Sequence, residues 1–175
     1  MIQVAPEMVQ RWEQATDLPD TAAQATLRDL MTGHFKSHPT FLGIKALVQA
    51  TGQMSALYTP GMIVHTVSSP LERLFASCRF DVIGSSMLSK FDGRAGDMVE
   101  KYAIPMLEGR TDILSMSYTD RGIADPRMIV RQQVSVIPLD GVQVLVTVGH
   151  PLGTSASAEI PDLDLRITTA DDVRG

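Results

Sequence analysis

Two runs of alternating valines face each other across a turn between Met128 and His150, and a β-hairpin is the natural way to house them. Val130, Gln132, Val134 and Val136 share one side of the first strand, because side chains alternate along a strand with a period of two. Val142, Val144, Val146 and Val148 share one side of the second. Opposed residues must point to the same face, so the loop length fixes the register. A two-residue loop, Asp140-Gly141, would pair Val136 with Leu145 and set the valine sides on opposite faces. A three-residue loop, Leu139-Asp140-Gly141, pairs Val136 with Val144 and Val134 with Val146, and puts Gly141 where a bulge wants a left-handed residue. The sequence therefore predicts the three-residue loop. Pro138 has no N–H to give and suits the turn entrance.

Upstream, the first fifty residues read as helices. Met8, Trp12 and Ala15 recur at helical spacing after Pro6; Ala23, Leu27, Leu30 and Met31 follow a cap at Asp20 or Thr21 and stop at Gly33. A third helix is expected from about His38 to Ala50, with Phe41, Ile44, Leu47 and Val48 as its apolar face. The character changes at Gly52. Ala56–Tyr58 and Met62–Val67 are β-like and flank the turn dipeptide Pro60-Gly61. A helical turn from Pro70 to Ala76, a β-like run from Cys78 to Ile83, and short helical pieces between Ser85 and Leu107 come next, and Ile113–Tyr118 is a strand candidate. Past Pro151 the pattern fails, although Leu163, Leu165 and Ile167 alternate and could add an edge strand. The expected organisation is a helical extension over 1–52, an α+β domain over 53–152 and an acidic tail over 153–175. Helices grouped ahead of the strands disfavour a regular βαβ fold, which leaves α+β with a mainly antiparallel sheet.

Composition narrows the function. The 175 residues are 44% hydrophobic, enough for one domain with a real core and an extension at each end. Fifteen Lys and Arg are scattered among 20 Asp and Glu, for a net charge of −5, which disfavours nucleic acid. No apolar run reaches the roughly 18–20 residues of a bilayer span, and the N-terminus lacks a signal-peptide pattern, so no membrane insertion and a cytoplasmic location are expected. One cysteine, Cys78, and four histidines leave no disulfide framework and little for a zinc site. His34 and His38 have ligand spacing, but Gly33 and Pro39 put a helix boundary between them. Ser85 and Ser86 follow Gly84 without a G-x-S-x-G pattern, and Gly93–Asp97 lacks the lysine and hydroxyl of a phosphate loop. Cys78 reads as an inert core thiol, and Asp81, Asp92 and Asp97 as solvated loop carboxylates. Nothing here calls for an enzyme.

Three stretches carry a likeness: Phe80-Asp81-Val82-Ile83-Gly84-Ser85, Phe91-Asp92-Gly93-Arg94-Ala95-Gly96-Asp97, and Val134 to Gly141 leading into Val144–Gly149. With short helices between them, the span from Cys78 to Leu152 resembles the PAS-domain family, particularly its stand-alone bacterial members. The resemblance implies a PAS-like antiparallel sheet with helices on one face, and a ligand or dimer contact built on those parts. It also implies action through a protein partner, often a sensor kinase. The chain departs from the pattern where Pro60-Gly61 interrupts the first β segment, and where three helices precede the sheet. No cysteine or histidine sits where a flavin adduct or haem ligand would be equated, so neither chemistry carries over and the cofactor stays unknown.

The expected function is a cytoplasmic signalling or regulatory module that binds a small apolar ligand, a protein partner such as a sensor kinase, or both. Met87, Phe91, Tyr102, Met116 and Tyr118 flank the helix–sheet seam and are candidate ligand contacts, with plain core packing as the competing reading of each. Met8 and Trp12 are candidates for a self-dimer contact. The alternative is a small hydrolase or isomerase with His65 or Asp81 as base. Haem on His65 or His150 is a third reading.

Overall fold

The computed structural model describes residues 36–77, 81–139, 142–155 and 163–174. The chain divides into two units, Met1–Pro39 and Thr40–Gly175, and the sheet and its helices belong to the second. The first two expected helices, Cys78, and the Asp140-Gly141 turn lie outside the described residues.

Among the described residues, six strands form one antiparallel sheet. They are β1 (Met54–Thr59), β2 (Ile63–Val67), β3 (Ile113–Arg121), β4 (Met128–Leu139), β5 (Val142–Thr154) and β6 (Arg166–Thr169), in the order β2-β1-β5-β4-β3-β6. Helix α1 (Pro39–Ala50) precedes them. Between β2 and β3 run α2 (Ser69–Ser77), a 3₁₀ turn (Leu88–Lys90), α3 (Gly93–Met98), a π-helical segment (Val99–Ala103) and α4 (Ile104–Leu107); α5 (Ala170–Arg174) closes the chain. This is the α+β, mainly antiparallel architecture expected.

The short helices cross one face of the sheet, here called the inner face. Phe75, Met87, Met98, Val99, Ala103, Met106 and Leu107 are buried there against Ala56, Tyr58, Val64, Met116, Tyr118, Val134 and Leu145. On the outer face Leu57 and Val144 are wholly buried. Helix α1 turns Phe41, Ile44 and Val48 inward, and the Phe41 ring meets the His65 ring edge-on with centroids 5.4 Å apart. Leu47, expected on that apolar face, is 73% exposed, because a helix that buries positions 41, 44 and 48 carries 47 off the stripe.

Burial on both faces corrects the expected hairpin register. Leu139 pairs with Val142, Val136 with Leu145 and Val134 with Thr147, so the connection is the two-residue one. The valines of β4 face inward and those of β5 outward. Gathering all valines on one side was a sound rule only for a sheet with one apolar face. The irregularity sits at the far end instead, where Val130 pairs with Pro151, Ile129 pairs with Gly153, and Leu152 is the extra residue.

Pro60-Gly61, which interrupted the first β segment in the sequence, is the turn of a β1–β2 hairpin. Gly61 has φ +79° and Met62 φ +54°, an unusual conformation for a side-chain-bearing residue, and it drives the Met62 side chain into the core. His65 is the unmatched residue of a bulge, since Leu57 pairs with Thr66 and Tyr58 with Val64. The outer edge of β2 is covered by Ile83–Met87: Gly84 N–H donates to the Val64 carbonyl at 2.7 Å, and Met87 N–H to that of Met62 at 3.0 Å. Strand β6 covers the other end by pairing with β3, Met116 opposite Ile167. Leu163 and Leu165 pack against the core, Thr119 N–H donates to the Leu163 carbonyl at 2.8 Å, and Arg131 pairs with Asp164.

Candidate functional site

A cavity of about 100 Å³ lies between the inner face and the helices. Its strand wall follows from period-two alternation: Met116, Tyr118 and Asp120 from β3, Val130, Gln132 and Val134 from β4, and Leu145, Thr147 and Gly149 from β5. Leu71 and Phe75 of α2, Ala95 of α3, and Val99 and Ala103 of the π segment form the opposite wall, with Met62, Met87 and Phe91 from the turns. Five methionines take part: Met54, Met62, Met87, Met116 and Met128. Unbranched thioethers adapt to whatever shape they enclose. Gly149 keeps the strand wall thin. A Cβ there would stand 3.2 Å from Val130 Cγ1 and 3.4 Å from Met54 Cε.

One end of the cavity is polar. Burial pushes the Tyr58 hydroxyl up to about 12, with Thr147, its hydrogen-bond partner, working the other way. Tyr118 is raised further, first by burial, then by the negative charge of Asp120, then by Tyr58. Burial thus holds both phenols in their neutral form at neutral pH. Asp120 is itself buried; its Oδ1 accepts the Arg121 N–H at 2.8 Å and faces Arg94 Nε at 3.5 Å. That ion pair links α3 to β3 across the cavity end. The loop after β3 closes the rim with Gly122, Ile123 and Ala124, held by Arg121 Nη1 donating to the Pro126 carbonyl at 2.6 Å. Within that loop the Arg127 guanidinium and N–H hold the Asp125 carboxyl below its usual range. A mostly apolar hollow with a few convergent polar groups is the general form of a small-molecule site.

No family model matches the chain, and no curated protein matches it. Among solved structures, the chain is similar to a sensory box sensor histidine kinase from Vibrio cholerae, at 13% identity and TM-score 0.42, over 77% of this chain and 97% of that one. It is also similar to the PAS domain of an HTR-like protein from Haloarcula marismortui, at 14% identity and TM-score 0.40, over 70% of this chain and 99% of that one. The antiparallel sheet and the helical cover of its inner face are the α+β arrangement that the sequence resemblance implied.

Four of the five candidate contacts, Met87, Phe91, Met116 and Tyr118, come together around the cavity. Tyr102 does not line it. It sits in the π segment, half-buried against the core, with Lys101 Nζ 5.2 Å from its ring centroid. Sequence reasoning missed Tyr58, Asp120, Gln132 and Thr147. Asp120 was within reach of the alternation rule, two residues beyond Tyr118 on the same strand. The others needed the strand order.

The residues of the competing readings lie elsewhere. His65 is on the outer face, hydrogen-bonded through Nε2 to the Thr59 hydroxyl at 2.9 Å. Asp81 is exposed, and neither lines the cavity. His150 borders an adjoining depression with Pro70, Arg73 and Pro151, which shares Met54 and Gly149 with the cavity but does not bring His150 into it. Among the described residues no three of His, Cys, Asp and Glu gather as a metal site, and no helix is long and apolar enough to cross a membrane.

Proposed function

We propose that this chain is a cytoplasmic sensory or regulatory module that binds a small, mainly apolar ligand in the inner-face cavity and passes the occupancy to a protein partner such as a sensor kinase. The observation that supports it is the cavity itself: methionine-lined walls closing on one polar end, walled partly by the strands and partly by short helical pieces. Met87, Phe91, Met116 and Tyr118 are the proposed ligand contacts. The strands form a continuous hydrogen-bonded sheet, whereas the helical wall is broken into a 3₁₀ turn, α3, the π segment and α4. A ligand that prefers one setting of that wall shifts its population by its differential affinity, and the outer surface of the same helices carries the change to a partner.

Native mass spectrometry of freshly purified protein, set beside its denatured mass, tests this reading. A reproducible extra mass that vanishes on denaturation is the expected result, and thermal stability should rise with added ligand by mass action. A bare native mass, together with no stabilisation by any member of a small-molecule panel, would remove the ligand and leave partner contact alone.

A further inference from the structure

Resting on that ligand-binding reading, we propose that the cavity takes a small, uncharged aromatic molecule bearing one hydroxyl group, a phenol in class. Size sets the first limit. At about 100 Å³ the hollow is on the scale of the engineered apolar cavity of roughly 150 Å³ that takes up benzene. One ring fits that scale.

Charge sets the second limit. An ion taken out of water must meet a counter-charge inside. The carboxylate at the cavity, Asp120, already faces Arg94 at 3.5 Å, and the Arg121 guanidinium is turned to the exposed rim, where it donates to the Pro126 carbonyl. An anionic ligand would meet Asp120 at the polar end. A cationic one would compete with Arg94 for it. A neutral head avoids both costs.

Hydrogen-bonding capacity sets the third. Thr147 engages Tyr58, while Tyr118, buried in the cavity wall, offers a hydroxyl that a ligand can meet. Gln132 lines the same end and offers both a carbonyl and an amide donor. A ligand hydroxyl is the smallest neutral group that accepts from Tyr118 and donates to Gln132. At the apolar end, Met62, Met87 and Met116 stand with Phe75 and Phe91 around the space. Thioether sulfur and aromatic edges favour a ring over an aliphatic chain of the same area.

The test compares phenol, toluene, benzoate and benzylamine at pH 7 by titration calorimetry, with methionine-methyl NMR shifts to place each probe in the cavity. Phenol should bind roughly tenfold more tightly than toluene, the worth of about one buried hydrogen bond, and both ions should bind at least roughly tenfold more weakly than phenol. In Tyr118→Phe, confirmed as folded by its NMR spectrum, the advantage of phenol over toluene should shrink below about threefold. Toluene matching phenol, or either ion matching it, with shifts in the cavity methyls, would overturn the proposed class and leave the ligand-binding reading standing. Binding of none of the four would overturn the class, and failure of the wider panel as well would take the ligand-binding reading with it.

Discussion

Tyr58 and Tyr118 keep their protons where an exposed phenol would lose them, and that makes the buried hydroxyls visible to a pH experiment. Their folded-state values lie above the ordinary value near 10, so between pH 10 and 12 the folded protein retains protons that the unfolded chain releases. The stability they carry is whole below pH 10 and falls as pH rises beyond it, by about 1.4 kcal/mol per pH unit for each tyrosine. Urea denaturation at pH 8, 10 and 11 should show a plateau followed by a decline; an unchanged midpoint at pH 11 would contradict burial of both rings. Val144 makes a second residue-scale case. It is fully buried on the outer face, so Val144→Ala should cost about 2 kcal/mol in the same assay, whereas Leu47→Ala, at an exposed position, should stay within roughly 0.5 kcal/mol of wild type. Equal effects would contradict the full burial of Val144. Four cavity residues were legible because Met87, Phe91, Met116 and Tyr118 border a helix–sheet seam that chain order alone implies. Tyr58, Gln132 and Thr147 were not, because only the adjacency of β1, β5 and β4 brings them to one place.

Elements were easier to recognise than to register. The hairpin was unmistakable, yet its pairing hung on whether one face of the sheet is apolar or both. Because α1 packs on the outer face, each strand is free to send its valines to a different layer, and the two-residue connection satisfies both. Cross-strand nuclear Overhauser contacts should accordingly join Val136 with Leu145 and Val134 with Thr147. Contacts of Val136 with Val144 and of Val134 with Val146 would restore the three-residue loop. The π segment explains the misplacement of Tyr102 in similar terms. Its wider turn sets Val99 and Ala103 against the cavity and leaves Tyr102 beside the core, an offset that a helical wheel of 3.6 residues does not anticipate.

For the molecule as a whole, the alternating Leu163, Leu165 and Ile167 proved the most informative part of the tail. They bring β6 onto the open side of β3, and Asp172 ties the start of α5 to that strand by accepting both the N–H and the hydroxyl of Thr169, at 2.7 and 2.8 Å. With Ile83–Met87 along β2, both margins of the β2-β1-β5-β4-β3 array are occupied. Removing residues 161–175 should therefore bare the β3 edge, lower the melting temperature by about 5 °C and produce concentration-dependent association in gel filtration. A truncated chain that stays monomeric and equally stable would show the docking to be incidental. The methionine wall has a consequence of another kind. Sulfur is the one part of this lining that reacts with dilute peroxide, and each sulfoxide formed would turn an apolar panel polar. If the proposed guest does fill the hollow, its thioethers would act as a chemical clock on occupancy, running slowly while the space is filled and faster once it is empty.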